Sequence, residues 1–361
     1  MTMPPSGHWP PPPQGPPQYW GPPPPPPKGG GKTKWVLGGL GILVVVVVTA
    51  VATLFIARDH EGSATHAPTP PQANPVDNSN IASKDDRGPA GIVVEDPTCT
   101  AWAPINAAFV NASDGGWGQR DPAIPAERWT PEQRDQYKAV EGALRQSADR
   151  SLELAQQTPH RTMRELYLQF SAYSRAYVDQ LDEYTADTDL LVRVAISVST
   201  ALTAICDSVT FGAAGSRGAL VAQPAPPAVI AEVESLNDPR PFLAGADPVC
   251  KDWLSMVDVF SSNTAAWRSI DPNISAAQFN QEQLATNASV RPIMQSFATE
   301  AQMLGRKSKN GVFEDLATLS AQYWRAYASA LPTYTPADNY LQIAAGSAAG
   351  AVSGACRAAG S

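Results

Sequence analysis

Asp96-Pro97-Thr98-Cys99 with Trp102, and Asp247-Pro248-Val249-Cys250 with Trp253, are one short pattern written twice in this 361-residue chain. Shifting the sequence on itself by 150 or 151 residues keeps the two in register and extends the match. Phe109 falls on Phe260, Trp117 on Trp267, Asp121-Pro122 on Asp271-Pro272, Ile124 on Ile274, Trp129 on Phe279 and Glu132-Gln133 on Glu282-Gln283. Farther on, Leu166 meets Leu316, Tyr173 meets Tyr323, Arg175-Ala176-Tyr177 meets Arg325-Ala326-Tyr327, Leu181 meets Leu331, Tyr184-Thr185 meets Tyr334-Thr335, and Cys206 meets Cys356. Matches that keep one offset, in order, from one cysteine to the next point to a duplicated module.

Four cysteines permit three pairings. The repeat selects one of them, because Cys99 and Cys206 open and close the first copy as Cys250 and Cys356 do the second. The expected disulfides are therefore Cys99 to Cys206 and Cys250 to Cys356, each closing a loop worth about 4 kcal/mol in the chain-entropy model. Such bonds persist in oxidising compartments. Zinc is disfavoured, since no CxxC occurs and His8, His60, His66 and His160 are not spaced as ligands with these cysteines.

Inside each copy the period is helical. A short helix is expected from Cys99 to about Asn111, then a loop through Gly115, Gly116, Trp117 and Pro125. Thr130-Pro131-Glu132-Gln133 combines an N-cap, a first-turn proline and a reciprocal capping glutamine, so a helix should run from there to about Gln157. Thr158-Pro159 repeats the start signal, and Met163, Leu166, Phe170, Tyr173, Tyr177 and Leu181 line one face of a third helix. Leu190, Val194, Val198 and Leu202 place a fourth between about Asp189 and Cys206. Gly142 and Pro292 hold equivalent positions in the second helices, where each is expected to weaken or kink. An up-down-up-down bundle returns its end beside its beginning, as a first-to-last disulfide requires. The expected fold is all-α: two tandem four-helix modules, residues 96–207 and 247–361, behind one transmembrane helix. Residues 208–246 read as a linker with one short helix near Val229, Ile230 and Val233, and the sequence leaves open whether the modules pack together.

The N-terminal third has a different character. Prolines crowd residues 1–34, with uninterrupted runs at Pro10–Pro13 and Pro22–Pro27, a composition for polyproline II and not for a core. Trp35 to Ala57 carries no charge and includes the valines Val44 to Val48, enough apolar chain to cross a bilayer. Lys28, Lys32 and Lys34 precede it, while Asp59 and Glu61 follow Arg58, which places the N-terminus in the cytoplasm and the modules outside. Ala50-Val51-Ala52 would suit signal-peptide cleavage, but the apolar run continues past it to Ala57. Residues 58–95, rich in Pro, Ala, Asn, Asp and Ser, read as a flexible linker.

The net charge of −8 and the lack of a clustered basic patch exclude a nucleic-acid binder. A catalytic constellation was sought and not found: there is no GxSxG and no HExxH, and Gly29-Gly30-Gly31-Lys32-Thr33 lacks the strand a phosphate loop needs. No enzymatic activity and no cofactor are expected. Trp117 and Trp267, with Asp121 and Asp271 in the same loops, either pack over the bundle ends or contact a partner. Arg175 and Arg325, amid aromatic residues, and Glu132 and Glu282, at helix starts, are candidates for a partly buried structural ion pair in each bundle.

In style, the proline- and glycine-rich head, the few lysines, the valine-rich helix and the outer region with paired cysteines resemble the anchored cell-envelope proteins of mycobacteria and other actinobacteria. The likeness covers residues 1 to about 58 and implies plasma-membrane anchoring and no particular activity. The reading that follows is a non-enzymatic, single-pass envelope protein whose modules bind a protein, peptidoglycan or lipid partner. The alternatives are a transmembrane sensor that relays outer binding to the tail and, third, an envelope hydrolase or transferase.

Overall fold

The cap expected at Thr130 forms in both directions: its hydroxyl oxygen accepts from the Gln133 N–H at 3.2 Å and its own N–H donates to Gln133 Oε1 at 2.9 Å. Asn280 and Gln283 make the same pair of bonds in the second copy, both at 2.9 Å. The computed structural model describes residues 80–232 and 235–360, all within one compact unit of the chain. The proline-rich tail, the Trp35 to Ala57 segment and residues 58–79 lie outside the described residues.

Among the described residues there is no strand. The first copy contains α1 (Cys99–Ser113), α2 (Pro131–Gln157), α3 (Arg161–Val178) and α4 (Ala186–Thr210), and the connection to the second carries α5 (Ala213–Gly218). The second copy contains α6 (Cys250–Asn263), α7 (Gln281–Ser308), α8 (Gly311–Ala330) and α9 (Asn339–Ala358). In each copy the first helix packs on the second, the second on the third and the third on the fourth, and the first also touches the fourth. The disulfides Cys99–Cys206 and Cys250–Cys356 close the two sets, with Cα atoms 5.2 and 5.4 Å apart.

The repeated Asp-Pro-x-Cys pattern has a structural cause. Asp96 accepts from the Thr98 N–H with one carboxylate oxygen and from the Thr158 hydroxyl with the other, tying the start of α1 to the end of α2. Asp247 does the same with the Val249 N–H and the Ser308 hydroxyl. Trp102 Nε1 donates to Thr203 Oγ1 and Trp253 Nε1 to Ser353 Oγ, each at 3.0 Å, which fixes the first helix against the last beside each disulfide. Because Asp96 draws the Thr158 hydroxyl away, Thr158 does not cap the third helix; α3 begins at Arg161, after His160.

Both second helices continue through Gly142 and Pro292, so the local weakening expected at each does not end the helix; packing along α3 and α8 outweighs a local cost of about 3 kcal/mol for an interior proline. The expected linker is corrected. Residues 80–95 are not a loose linker: Ile81, Ser83, Ala90 and Val93 are buried, and Ala82 N–H donates to Gln156 O at 2.9 Å. Past residue 210 the short helix of this connection is α5. α5 docks on the second module, where Arg217 makes two 2.9 Å bonds to the Asp338 carboxylate and reaches Thr333.

The modules pack against each other chiefly through α4 and α9. Val194 faces Gly354 and Ser197 faces Gly350, so the helices run antiparallel. A Cβ on Gly354 would come within 2.9 Å of Val194 Cγ2, so the alanine- and glycine-rich sequence of α9 is what permits the close approach. α4 is long and apolar enough to cross a membrane, yet most of it is buried inside the protein and it carries Cys206. It is a core helix.

Candidate functional site

α3 and α8, equivalent helices of the two copies, meet at their first turns. The offset of 150 pairs Arg161 with Gly311, Arg164 with Glu314 and Glu165 with Asp315, so the first copy presents mainly positive charge where the second presents negative. Arg161, only 1% exposed, donates from Nε to Asp315 Oδ2 at 2.7 Å and from Nη2 to Asp315 Oδ1 at 2.9 Å. Its Nη1 donates to the carbonyls of Asp86 (2.9 Å) and Gly88 (3.0 Å), and the Asp86 carboxylate accepts the Arg161 N–H at 2.7 Å. Arg164 Nη1 donates to both the carbonyl and the hydroxyl of Ser83 at 3.0 Å. Two buried guanidiniums thus fasten residues 83–88 to the module junction.

The segment before the second module is held in kind. Glu314 accepts from the N–H groups of Ala228 (2.9 Å) and Val229 (3.3 Å), and Arg306 lies 3.5 Å from it. Gly311 has no side chain because the chain passes directly over it; a Cβ there would sit 2.5 Å from Ala231 N. Gln169 on α3 accepts the Phe242 N–H (2.9 Å) and donates to Arg240 O (3.2 Å), and Asn310 donates to Phe242 O at 2.7 Å. These contacts roof a cavity of about 300 Å³ lined by Arg164, Glu165, Gln169, Phe242, Gly311 and Val312 among others.

Each strap also crosses to the other module. The Val93 N–H donates to the Tyr323 hydroxyl on α8 at 3.2 Å, while the Tyr173 hydroxyl on α3 approaches the Leu243 backbone without closing a standard hydrogen bond.

Glu165 is the outlier. It is 3% exposed, and neither carboxyl oxygen accepts a hydrogen bond from a standard donor. Arg161 Nε stands 3.9 Å away and is already committed to Asp315. Burial, followed by the neighbouring Asp315 charge, pushes the Glu165 carboxyl well above the usual carboxylate range, and burial raises Asp315 as well, against the pull of Arg161.

The residues singled out from the sequence lie elsewhere. Trp117 is 2% exposed, edge-on to Phe109, Tyr137 and Tyr177, with the Arg120 guanidinium 3.6 Å from its ring centroid; it is core and presents no partner-binding face. Trp267 is half-buried against Trp324 and Tyr327. Asp121 and Asp271 are exposed and close their own turns, accepting from the N–H groups of Ala123 and Asn273 at 2.9 Å. The expected ion pairs with Glu132 and Glu282 do not form. Arg175 bonds to Asp149 at 2.6 Å and to Asn237 O at 2.7 Å, Arg325 bonds to Gln302 at 3.0 Å, and both glutamates point to solvent. Each glutamate occupies an exposed first turn, whereas the arginines meet these helices at Asp149 and Gln302, several turns farther along. The residues that do assemble, Arg161, Arg164, Glu165, Glu314 and Asp315, went unmarked in the sequence, where they look like ordinary first-turn charges. The sign reversal between copies was the available signal.

A protein of Mycolicibacterium smegmatis (strain MKD8) bearing only the description uncharacterized is 43% identical over 326 residues, covering 90% of this chain and 86% of its own. No solved structure matches the chain. The profile described as Mycobacterial ESX-1 associated protein matches residues 81–360, the double bundle with both of its straps, and the chain belongs to that mycobacterial family.

Proposed function

We propose that this protein is a non-enzymatic accessory of an ESX-1-type secretion apparatus, anchored in the plasma membrane by Trp35 to Ala57, with the double bundle on the outer side as a scaffold for an envelope partner. The observation that carries the reading is the pair of first-to-last disulfides, each closing one bundle, since such bonds persist where the environment is oxidising. The lysines before Trp35 support the same orientation. The similarity to the smegmatis protein covers 90% of the chain and so reaches well into the residues before Asn80, which supports a shared N-terminal segment.

The sensor reading gains one specific support. With residues 80–95 built onto the body, the stretch separating it from Ala57 shrinks to residues 58–79, and a rearrangement at the module junction has a shorter route to the tail. Topology is tested by fusing alkaline phosphatase or a cytoplasm-restricted fluorescent protein to the C-terminus in a mycobacterial host. Phosphatase activity with a dark fluorescent fusion is expected; the reverse, together with free thiols on the four cysteines, would overturn the proposal. A deletion strain should then lose ESX-1-dependent secretion and regain it with the full chain but not with residues 58–361 alone.

A further inference from the structure

Glu165 and Asp315, equivalent in the repeat and 3% and 1% exposed, bring two carboxyl groups to the same Arg161 Nε at the α3–α8 junction, 3.9 and 2.7 Å from it. On α3, Arg161 grips Asp315, and Arg164 gives its Nη1 to Ser83 while its Nε is buried without a hydrogen-bond partner. On α8, Glu314 is occupied by the Ala228 and Val229 amides and by Arg306 of α7. From the first strap Asp86 faces Arg161, and from the second Glu232, Asp238 and Arg240 line the adjoining cavity. Among the described residues no donor hydrogen-bonds either Glu165 oxygen, and burying an ionised carboxylate without one is costly.

We propose that Glu165 carries a proton in the folded protein and donates it to Asp315, making the junction between the two modules a proton-dependent latch. The proton comes from solvent and returns there; no other bond changes. When it leaves, two carboxylates face each other with one guanidinium between them, and the contact that carries both straps loosens.

The sign follows from linkage. The folded state holds a proton that the unfolded chain gives up at the ordinary glutamate pKa, so the contribution is complete below that value and is lost as pH rises toward the higher folded value. Within that window each pH unit raises the unfolding equilibrium constant by up to about tenfold. Glu165→Gln keeps the shape and supplies an N–H₂ donor to Asp315 without the ability to ionise. In the full chain purified in detergent with disulfides intact, wild-type stability should fall as pH rises above the ordinary glutamate pKa more steeply than that of Glu165→Gln, the gap widening by up to about tenfold per unit. Amide exchange in the first turns of α3 and α8 and in residues 82–88, corrected for intrinsic rates, should accelerate with pH in the wild type and not in the variant. Infrared spectra at neutral pH should contain the carbonyl stretch of a protonated carboxylic acid that shifts with ¹³C-glutamate and is missing from Glu165→Gln. Parallel pH profiles, or no such band in the wild type, would overturn the proposal; the infrared test decides it even if the variant does not fold.

Discussion

Substituting alanine for glycine should have opposite effects at two helical positions. At Gly311, a Cβ would lie 2.5 Å from Ala231 N, 3.0 Å from Val229 O and 3.1 Å from Ala231 Cα, all backbone atoms that cannot rotate away. The strap must lift, which strains the amide bonds from Ala228 and Val229 to Glu314. Overpacking of this kind costs about 1–3 kcal/mol, and weakening a bond to a buried charge adds about 1.5–3 kcal/mol. Gly311→Ala should therefore destabilise by roughly 3 kcal/mol, taking the middle of those ranges with part of the bonding retained. At Gly142 in α2, a Cβ meets nothing within 4 Å, so Gly142→Ala should stabilise by about 0.5–1 kcal/mol through helix propensity alone. Urea unfolding followed by tryptophan fluorescence and far-UV circular dichroism measures both, and limited proteolysis reports whether residues 222–242 become cleavable in Gly311→Ala. Effects of equal sign, or an unchanged cleavage pattern, would refute the close passage of the strap over α8.

Removing either disulfide by paired serine substitution should cost about 4 kcal/mol, nearly the same for both because the sequence separations are 107 and 106; a large difference in midpoint would argue against a common chain-entropy origin. Arg161→Met removes the partner of Asp315 and the donors to Asp86 O and Gly88 O, and should destabilise by about 3–5 kcal/mol while freeing residues 82–88 to exchange with solvent. Trp117→Ala should lower stability by about 3–5 kcal/mol, and any partner affinity measured on the still-folded fraction should be unchanged.

What could be read from the sequence was what is determined locally or by the repeat. The Thr130 cap needs only residues three apart, the face of α3 follows a 3.6-residue period, and the cysteine pairing follows from copy boundaries. The two straps resisted such reading because much of their order comes from partners far away in the chain. Residues 80–95 bury Ile81, Ala90 and Val93 and rest Ile92 on the core, and they are tied by Arg161 and Arg164, some 75 residues later, through bonds to carbonyls that no composition reveals. Glu132 failed as an ion-pair partner for the converse reason: a first-turn glutamate reads the same whether it faces solvent or a neighbour.

The two modules are held together chiefly by α4 on α9, and the difference in charge between copies adds an ion pair across the junction at α3 and α8. The acid at the Glu165/Asp315 position is common to both copies, whereas Arg161 has only Gly311 as its counterpart, and the first copy's arginine is given to the second copy's acid. The divergence leaves Arg161 on one side for Asp315 on the other, and it leaves one carboxyl, Glu165, without a cation of its own. The strap before each module then reaches the opposite one, Val93 to Tyr323 and Phe242 to Gln169, so the modules cannot part without releasing both straps. A force or ligand that opens the junction is therefore transmitted to residues 80–95, the part of the body that leads back toward residue 57.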